Sequence, residues 1–342
     1  MSEAFQSPPQ SSPIYPLTFE PVLKHYPWGG RRLATRLGRN IPPGIVAESW
    51  EISAHPNGIT RVAHGAMAGK ALPELLSVWG DELVGRLNSA ATERGRFPIL
   101  IKLLDAAEWL SVQVHPDDTY ALEHEGDLGK TEMWIVLHAD PGAQLIQGFK
   151  PGVQPHQFAA AISAGGADEF LRRVSVTTGD VFFLRPGTIH AVGPGILLTE
   201  IQQSSDVTYR VYDWDRDGED RPLHLSRALD VLDFNTVEPC AVQAKWHIRN
   251  GIESQLLASC PYFETRRLEL GSEAVFEGRC DGATFEAWAV IGGHARLGWA
   301  GGALELDAVQ WVLLPAALGD FNLTAADGAT LLQVITPEPE SR

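Results

Sequence analysis

Long apolar runs are missing from this sequence. Nowhere in its 342 residues do 18 apolar residues stand together, which excludes a membrane-spanning helix. Cysteine is scarce. Cys240, Cys260 and Cys280 are odd in number, lie in the last third and show neither C-x-x-C nor zinc-ribbon spacing, so no disulfide scaffold is expected and a reduced, cytoplasmic location fits. The stretch 1–16 lacks a basic start and an apolar centre, and its Ser, Pro and Gln content reads as a disordered tail rather than a signal peptide. Basic charge is also short: 27 Lys and Arg stand against 43 Asp and Glu, a net charge of −16 that repels polyanions and argues against a nucleic-acid partner. An anionic substrate would have to be drawn by a few local cations or a metal.

Turn formers and tryptophan are plentiful. The 33 Gly and 23 Pro punctuate many short β-branched or alternating runs, the pattern of a β-sandwich or barrel. Strands are predicted at Ile99–Leu104, Ser111–Val114, Met133–Leu137, Asp180–Leu184 and Ile196–Gln202. Helical periodicity is confined to Leu72–Asn88, His156–Ser163, Ala167–Val174 and His224–Val231, read as covers on a β core. The length suits two domains. The Gly and Asp cluster at 213–220 and the polar stretch after Phe234 place the boundary near 240: a catalytic unit over 17–240 and a smaller β unit over 241–342, with strands at Tyr262–Leu270, Phe285–Ile291, His294–Trp299 and Gln310–Leu314.

The sharpest local signal is Ser111-Val-Gln-Val-His-Pro-Asp-Asp118. Residues two apart in a strand share a face, so Ser111, Gln113 and His115 project together; the bland reading is a satisfied polar face. In Gly129-Lys-Thr-Glu132, Glu132 opens an apolar strand that would not accept a bare carboxylate, so a cation should sit beside it, and Lys130 by itself could be that cation. The segment Pro186-Gly-Thr-Ile-His190 delivers His190 at a strand start from a turn that holds the backbone still. Together Gln113, His115, Glu132 and His190 form an oxygen and nitrogen donor set suited to a catalytic Zn²⁺ or another divalent metal.

Three further side chains carry charge toward the same place. Lys102 interrupts the apolar run Ile99-Leu-Ile-Lys-Leu-Leu104, so it points into an enclosed polar pocket or snorkels at an edge. Glu200 shares a strand face with Gln202. Arg210 follows a polar stretch that could bring it to the metal mouth; its alternative is an ion pair with Asp213 or Asp206.

The pieces Tyr26-Pro-Trp-Gly-Gly30, Glu48-Ser-Trp-Glu-Ile-Ser53, Ser111–Asp118, Gly129–Glu132, Pro186–His190 and Tyr209-Arg-Val-Tyr-Asp-Trp214 occur in an order that resembles the type I mannose-6-phosphate isomerases, in their short bacterial form. The resemblance runs from about residue 17 into the second unit, where Cys260-Pro-Tyr-Phe263 is also similar. It implies a mainly β fold, a cupin-type jelly roll with a second cupin-like β domain, and one Zn²⁺ held by Gln113, His115, Glu132 and His190. It places the family's active-site arginine on Arg210 and its pocket lysines on Lys102 and Lys130. One departure stands out: the family's Pro-Ala-Gly-Thr reads Arg185-Pro-Gly-Thr188 here, so loop geometry or a phosphate contact is expected to differ. The large helical insert of the eukaryotic form is not apparent.

The implied activity is aldose–ketose isomerisation of mannose 6-phosphate and fructose 6-phosphate through an enediolate. Arg210 would orient the sugar and counter charge, Lys102 and Ser111 would contact sugar or phosphate, and Glu200, Lys130 or a metal-bound water would serve as base. Two other classes compete: an Fe²⁺ cupin dioxygenase, and a non-catalytic sugar-phosphate-binding cupin. The sequence leaves the oligomeric state open, a monomer included.

Overall fold

In a computed structural model, residues 13–163, 166–216, 221–235, 242, 244–249 and 251–338 are described. The first β unit is two facing antiparallel sheets. One has six strands in the order Val181–Leu184, Glu132–Ala139, Ile196–Gln203, Ile99–Ala106, Glu48–Ile52 and Val22–Lys24. The other has five: Tyr209–Tyr212, Val112–Val114, His190–Val192, Gln144–Phe149 and Leu171–Ser175. Alternation decides which residues meet between them. In Ile99–Ala106, Leu104 packs in the apolar layer between the sheets, while Ile99 and Ile101 turn to a second core on the other face. Both faces of this sheet are therefore covered, so its central strands read as nearly unbroken apolar runs. The jelly-roll architecture expected from the resemblance is what these sheets form.

The second β unit also has two antiparallel sheets, one of six strands from Trp246–Arg249 to Trp311–Leu314 and one of four. A single buried core joins the two units: Ile52, Leu75, Phe97, Ile101 and Ile135 from the first pack with Phe263, Phe285, Leu313 and Val334 from the second. Phe97 and Phe285 lie with ring centroids 4.6 Å apart, and Phe285 is fully buried. Phe285→Ala should therefore cost about 3–5 kcal/mol. A calorimetric scan should show one transition displaced to lower temperature; two separated transitions would show that the units unfold independently.

Several predicted elements take other forms. The helix expected over Leu72–Asn88 breaks at Gly80 and Gly85, both at positive φ, into Leu72–Trp79, Asp81–Val84 and a 3-10 turn at Arg86–Asn88. Gly85 is needed because a Cβ there would stand 2.3 Å from the Ala283 carbonyl oxygen of the second unit. The helix expected over Ala167–Val174 is half 3-10 turn and half strand: Ala167–Phe170 leads into Leu171–Ser175, paired with Gln144–Phe149. Leu171 and Val174 suit one helical face, but the strand sends them to opposite apolar layers, both present because this sheet too is covered on both sides. Of the tail expected over 1–16, residues 13–16 are described and are packed: Ile14 and Tyr15 lie against the shared core, and the Tyr15 hydroxyl donates to the His64 carbonyl at 2.9 Å. Residues 1–12 and the boundary near 240 lie outside the described residues. No helix among the described residues is long and apolar enough to cross a membrane.

Candidate active site

Strand register places the polar side chains in rows. Across the five-stranded sheet, Arg210, Gln113 and His190 occupy paired positions on three neighbouring strands. On the facing sheet, Trp134, Glu200, Lys102 and Trp50 form one row and Glu132 pairs with Gln202 in the next. The two sheets enclose a cleft of about 740 Å³, whose lining includes Ser111, Gln113, Lys102, Lys130, Glu200 and Arg210. Val112 and Val114 pack into the apolar layer on the opposite side of their sheet, so the alternation Ser111, Gln113, His115 faces inward as expected.

Behind the lining residues Gln113 and Lys130, His115, Glu132 and His190 converge, buried, with their ligand atoms all within 4.8 Å of one another. His115 Nδ1 bonds the Val207 carbonyl at 2.8 Å and His190 Nδ1 the Thr188 carbonyl at 2.9 Å. Each imidazole thereby donates from Nδ1 and turns its Nε2 lone pair toward the cluster, the arrangement that orients a metal-ligating histidine. Burial lowers the pKa of both, that of His190 to about 4, so both are neutral at pH 7. Glu132 Oε1 is buried without a hydrogen-bond partner, although His190 Nε2 is 3.2 Å away. Two lone pairs and an unsatisfied carboxylate oxygen aimed at one point fit a divalent cation. Gln113 completes the wall, its amide Nε2 donating to His190 Nε2 at 3.3 Å and its Oε1 accepting from the Ser111 hydroxyl at 3.3 Å, so it would ligate a cation only with the amide turned over to bring Oε1 toward His190.

The cation expected beside Glu132 is also there: Lys130 Nζ lies 2.5 Å from Glu132 Oε2 and 3.0 Å from His115 Nε2. Next to it, Lys102 Nζ sits 3.4 Å from Glu200 and 3.8 Å from Glu48, over the Trp50 ring. Lys102 is buried rather than snorkelling. Three carboxylates thus share two ammoniums, a local deficit of positive charge that a divalent ion would reverse. Burial raises the Glu132 pKa against the pull of Lys130. For Glu200, burial also acts upward, but Lys130 and Lys102 together outweigh it and the net shift is downward. Glu200 Oε2 accepts from Trp134 Nε1 at 2.9 Å.

Arg210 has no ion pair among the described residues. Asp213, its expected alternative partner, is taken by Arg216 at 2.7 Å and Arg221 at 2.5 Å, and Asp206 accepts from Asn57. Arg210 donates to the Pro222 carbonyl at 2.9 Å and leaves Nε without a partner. Its pKa is lowered first by burial and then by the neighbouring Arg221, so two guanidiniums crowd this end of the cleft. Arg185, the departure from the family pattern, is exposed and is not among the residues lining the cleft. The turn that follows it is nonetheless specific: Gly187 has φ 83°, and a Cβ there would stand 2.8 Å from the Val231 carbonyl oxygen.

Sequence reasoning missed the contributions of Glu48, Arg221 and His224 to the lining. Glu48 had a signal, since it stands two residues from Trp50 on one strand and accepts from that indole at 2.7 Å. Arg221 was hidden beside a Gly and Asp cluster that reads as a loop.

This fold and this convergence of donors define a cupin with a candidate metal centre and a cationic cleft mouth. Residues 17–130 match the family described as phosphomannose isomerase type I, catalytic domain. The chain is 40% identical over 285 residues to a mannose-6-phosphate isomerase of Streptococcus mutans, covering 82% of this chain and 86% of that one. It is 38% identical to mannose-6-phosphate isomerase ManA of Bacillus subtilis, covering 90% and 95%. The crystal structure of the mannose 6-phosphate isomerase from Bacillus subtilis superposes with a TM-score of 0.83 at 34% identity, covering 94% of this chain and 99% of that one. The chain belongs to the type I mannose-6-phosphate isomerase family.

Proposed function

We propose that this chain interconverts mannose 6-phosphate and fructose 6-phosphate, with Gln113, His115, Glu132 and His190 holding one Zn²⁺. When bound, the ion supplies Lewis-acid polarisation of the sugar carbonyl and offsets negative charge developing on the sugar oxygens. The chain's own groups do the rest. Glu200, ionised through Lys130 and Lys102 and lining the cleft, takes the proton from the carbon beside the carbonyl and returns it to the neighbouring carbon. Lys130, beside both Glu132 and Glu200, keeps their charges in place. Lys102 and Ser111 face the sugar from opposite sheets. Arg210 counters charge on the reacting oxygens from the outer side, and with Arg221 draws the phosphate into an otherwise acidic protein. The substrate is small and no membrane or nucleic acid is needed. The free thiols Cys260 and Cys280 suit a reducing cytoplasm.

The observation that carries this reading is a buried His–Glu–His cluster joined through Lys130 and Gln113 to a cleft whose lining also includes Arg210, an arginine with no ion pair among the described residues. The test is an assay of fructose 6-phosphate formation from mannose 6-phosphate by protein stripped with a chelator and then given Zn²⁺. Stripping should remove turnover and zinc should restore it. Unphosphorylated mannose should react on the order of 10²-fold more slowly, because charge-assisted bonds to a guanidinium contribute about 1.5–3 kcal/mol each. Equal turnover of the two sugars would remove the phosphate assignment.

A further inference from the structure

The second β unit reaches the metal-ligand loop through one hydroxyl. Tyr262, in the Cys260-Pro-Tyr-Phe263 segment, donates to Asp118 Oδ2 at 2.8 Å. Asp118 opens the helix that follows His115-Pro-Asp117, and its Oδ1 accepts from the Gly129 backbone N–H and from Gln203 Nε2, both at 2.8 Å. Gln203 in turn accepts the Thr131 N–H on its Oε1 at 2.8 Å, and the Lys130 N–H bonds the Pro116 carbonyl at 3.0 Å. Gly129 is pressed so close that a Cβ would stand 2.4 Å from Asp118 N. Three consecutive backbone N–H groups, at residues 129, 130 and 131, are thus pinned immediately before Glu132, and two of them through Asp118. Every group in this chain but Tyr262 comes from the first unit.

We infer that Tyr262 is a positioning residue, acting through Asp118 to hold the Gly129–Thr131 backbone and with it Lys130 and the ligand Glu132. The inference rests on the metal reading of the site. Without the hydroxyl, Asp118 Oδ2 loses this partner, the carboxylate is free to turn, and the Gly129 and Gln203 bonds loosen together. The second unit thereby does more than cover apolar surface: it fixes where a carboxylate stands some distance from itself. Outer partners of this kind set metal affinity because a ligand that wanders binds less tightly.

The experiment measures zinc affinity by chelator competition, together with kcat and KM, on the full chain and on Tyr262→Phe, Asp118→Ala and the double variant. Phe263→Leu is the control, since Phe263 is fully buried in the shared core next door and its truncation loosens packing alone. Tyr262→Phe should weaken zinc binding by roughly 10-fold, the lower end for an outer-partner change, and lower kcat with KM little altered. In an Asp118→Ala background the same substitution should have no further effect, because the hydroxyl acts only through that carboxylate. Phe263→Leu should lower the melting temperature and leave zinc affinity intact. Zinc binding by Tyr262→Phe equal to that of the unaltered chain, equal weakening by Phe263→Leu, or simple additivity in the double variant would each overturn the inference while leaving the metal site standing. Absence of zinc binding by the unaltered chain would overturn the metal reading itself, and the inference with it.

Discussion

His190→Ala is expected to emerge from gel filtration without a divalent ion and without measurable isomerase turnover. His190 contributes one of three converging donor groups, and its Nε2 lies 3.2 Å from the unsatisfied Glu132 Oε1. Removing an inner donor should cost more metal affinity than the roughly 10- to 100-fold of an outer-partner change. Loss of the ion's electrostatic stabilisation should then lower kcat by at least about 10²- to 10³-fold. The fold should survive. His190 sits on Val112–Val114 and Gln144–Phe149 by backbone pairing that alanine retains, and its ring is lost mainly from contact with Trp134 and His115. Lys130 keeps Glu132 paired, so no buried carboxylate is stranded. Metal content by elemental analysis and near-ultraviolet circular dichroism separate the two effects. Full metal content with a native spectrum would remove His190 from the ligand set.

Much of this site is legible in the sequence because strands encode facing by alternation. Ser111, Gln113 and His115 at spacing two declare a shared wall, and Lys102 within an apolar run declares a polar interior, since no ammonium stays buried unpaired. Glu132 demands a positive neighbour on the same grounds. What spacing could not supply is cross-strand register. That Glu200 lies opposite Lys102, or Arg210 opposite Gln113, depends on how distant strands pair. The choice for Arg210 between an ion pair and a free charge turned on Arg216 and Arg221 reaching Asp213 first, which is a matter of loop geometry. The misread helix at Ala167–Val174 failed for a related reason: a spacing of three looks helical unless both faces of a sheet are known to be apolar. Shared burial of Phe97 and Phe285 was equally out of reach, since nothing in either segment names its partner.

Arg210→Ala should keep the metal and lose turnover, the reverse pattern to His190→Ala. Arg210 stands opposite Gln113 in the ladder and lines the cleft, but its guanidinium donates to the Pro222 carbonyl, its backbone N–H donates to His224 Nδ1 and its carbonyl accepts from the His224 N–H, with no bond to His115, Glu132 or His190. The donor cluster is therefore built without it. Its guanidinium makes no ion pair among the described residues and feels Asp213 only at a distance, in a half-buried position where its charge is poorly screened. A cation so placed stabilises an anionic sugar far more than a neutral one, so its removal should fall on kcat by about 10²- to 10³-fold, as for other preorganised donors aimed at developing charge. Arg210→Lys should recover little, because the donors of an ammonium radiate from one point and lack the planar fork that lets a guanidinium hold the Pro222 carbonyl with one nitrogen and face the sugar with another. Arg221→Ala offers the contrast: its guanidinium is already committed to Asp213, so its loss should raise KM more than it lowers kcat. Zinc content and steady-state constants on the three variants decide the matter. Full activity of Arg210→Ala would end its catalytic assignment, and loss of metal from that variant would mean that the ligand cluster and the cleft mouth are not separable.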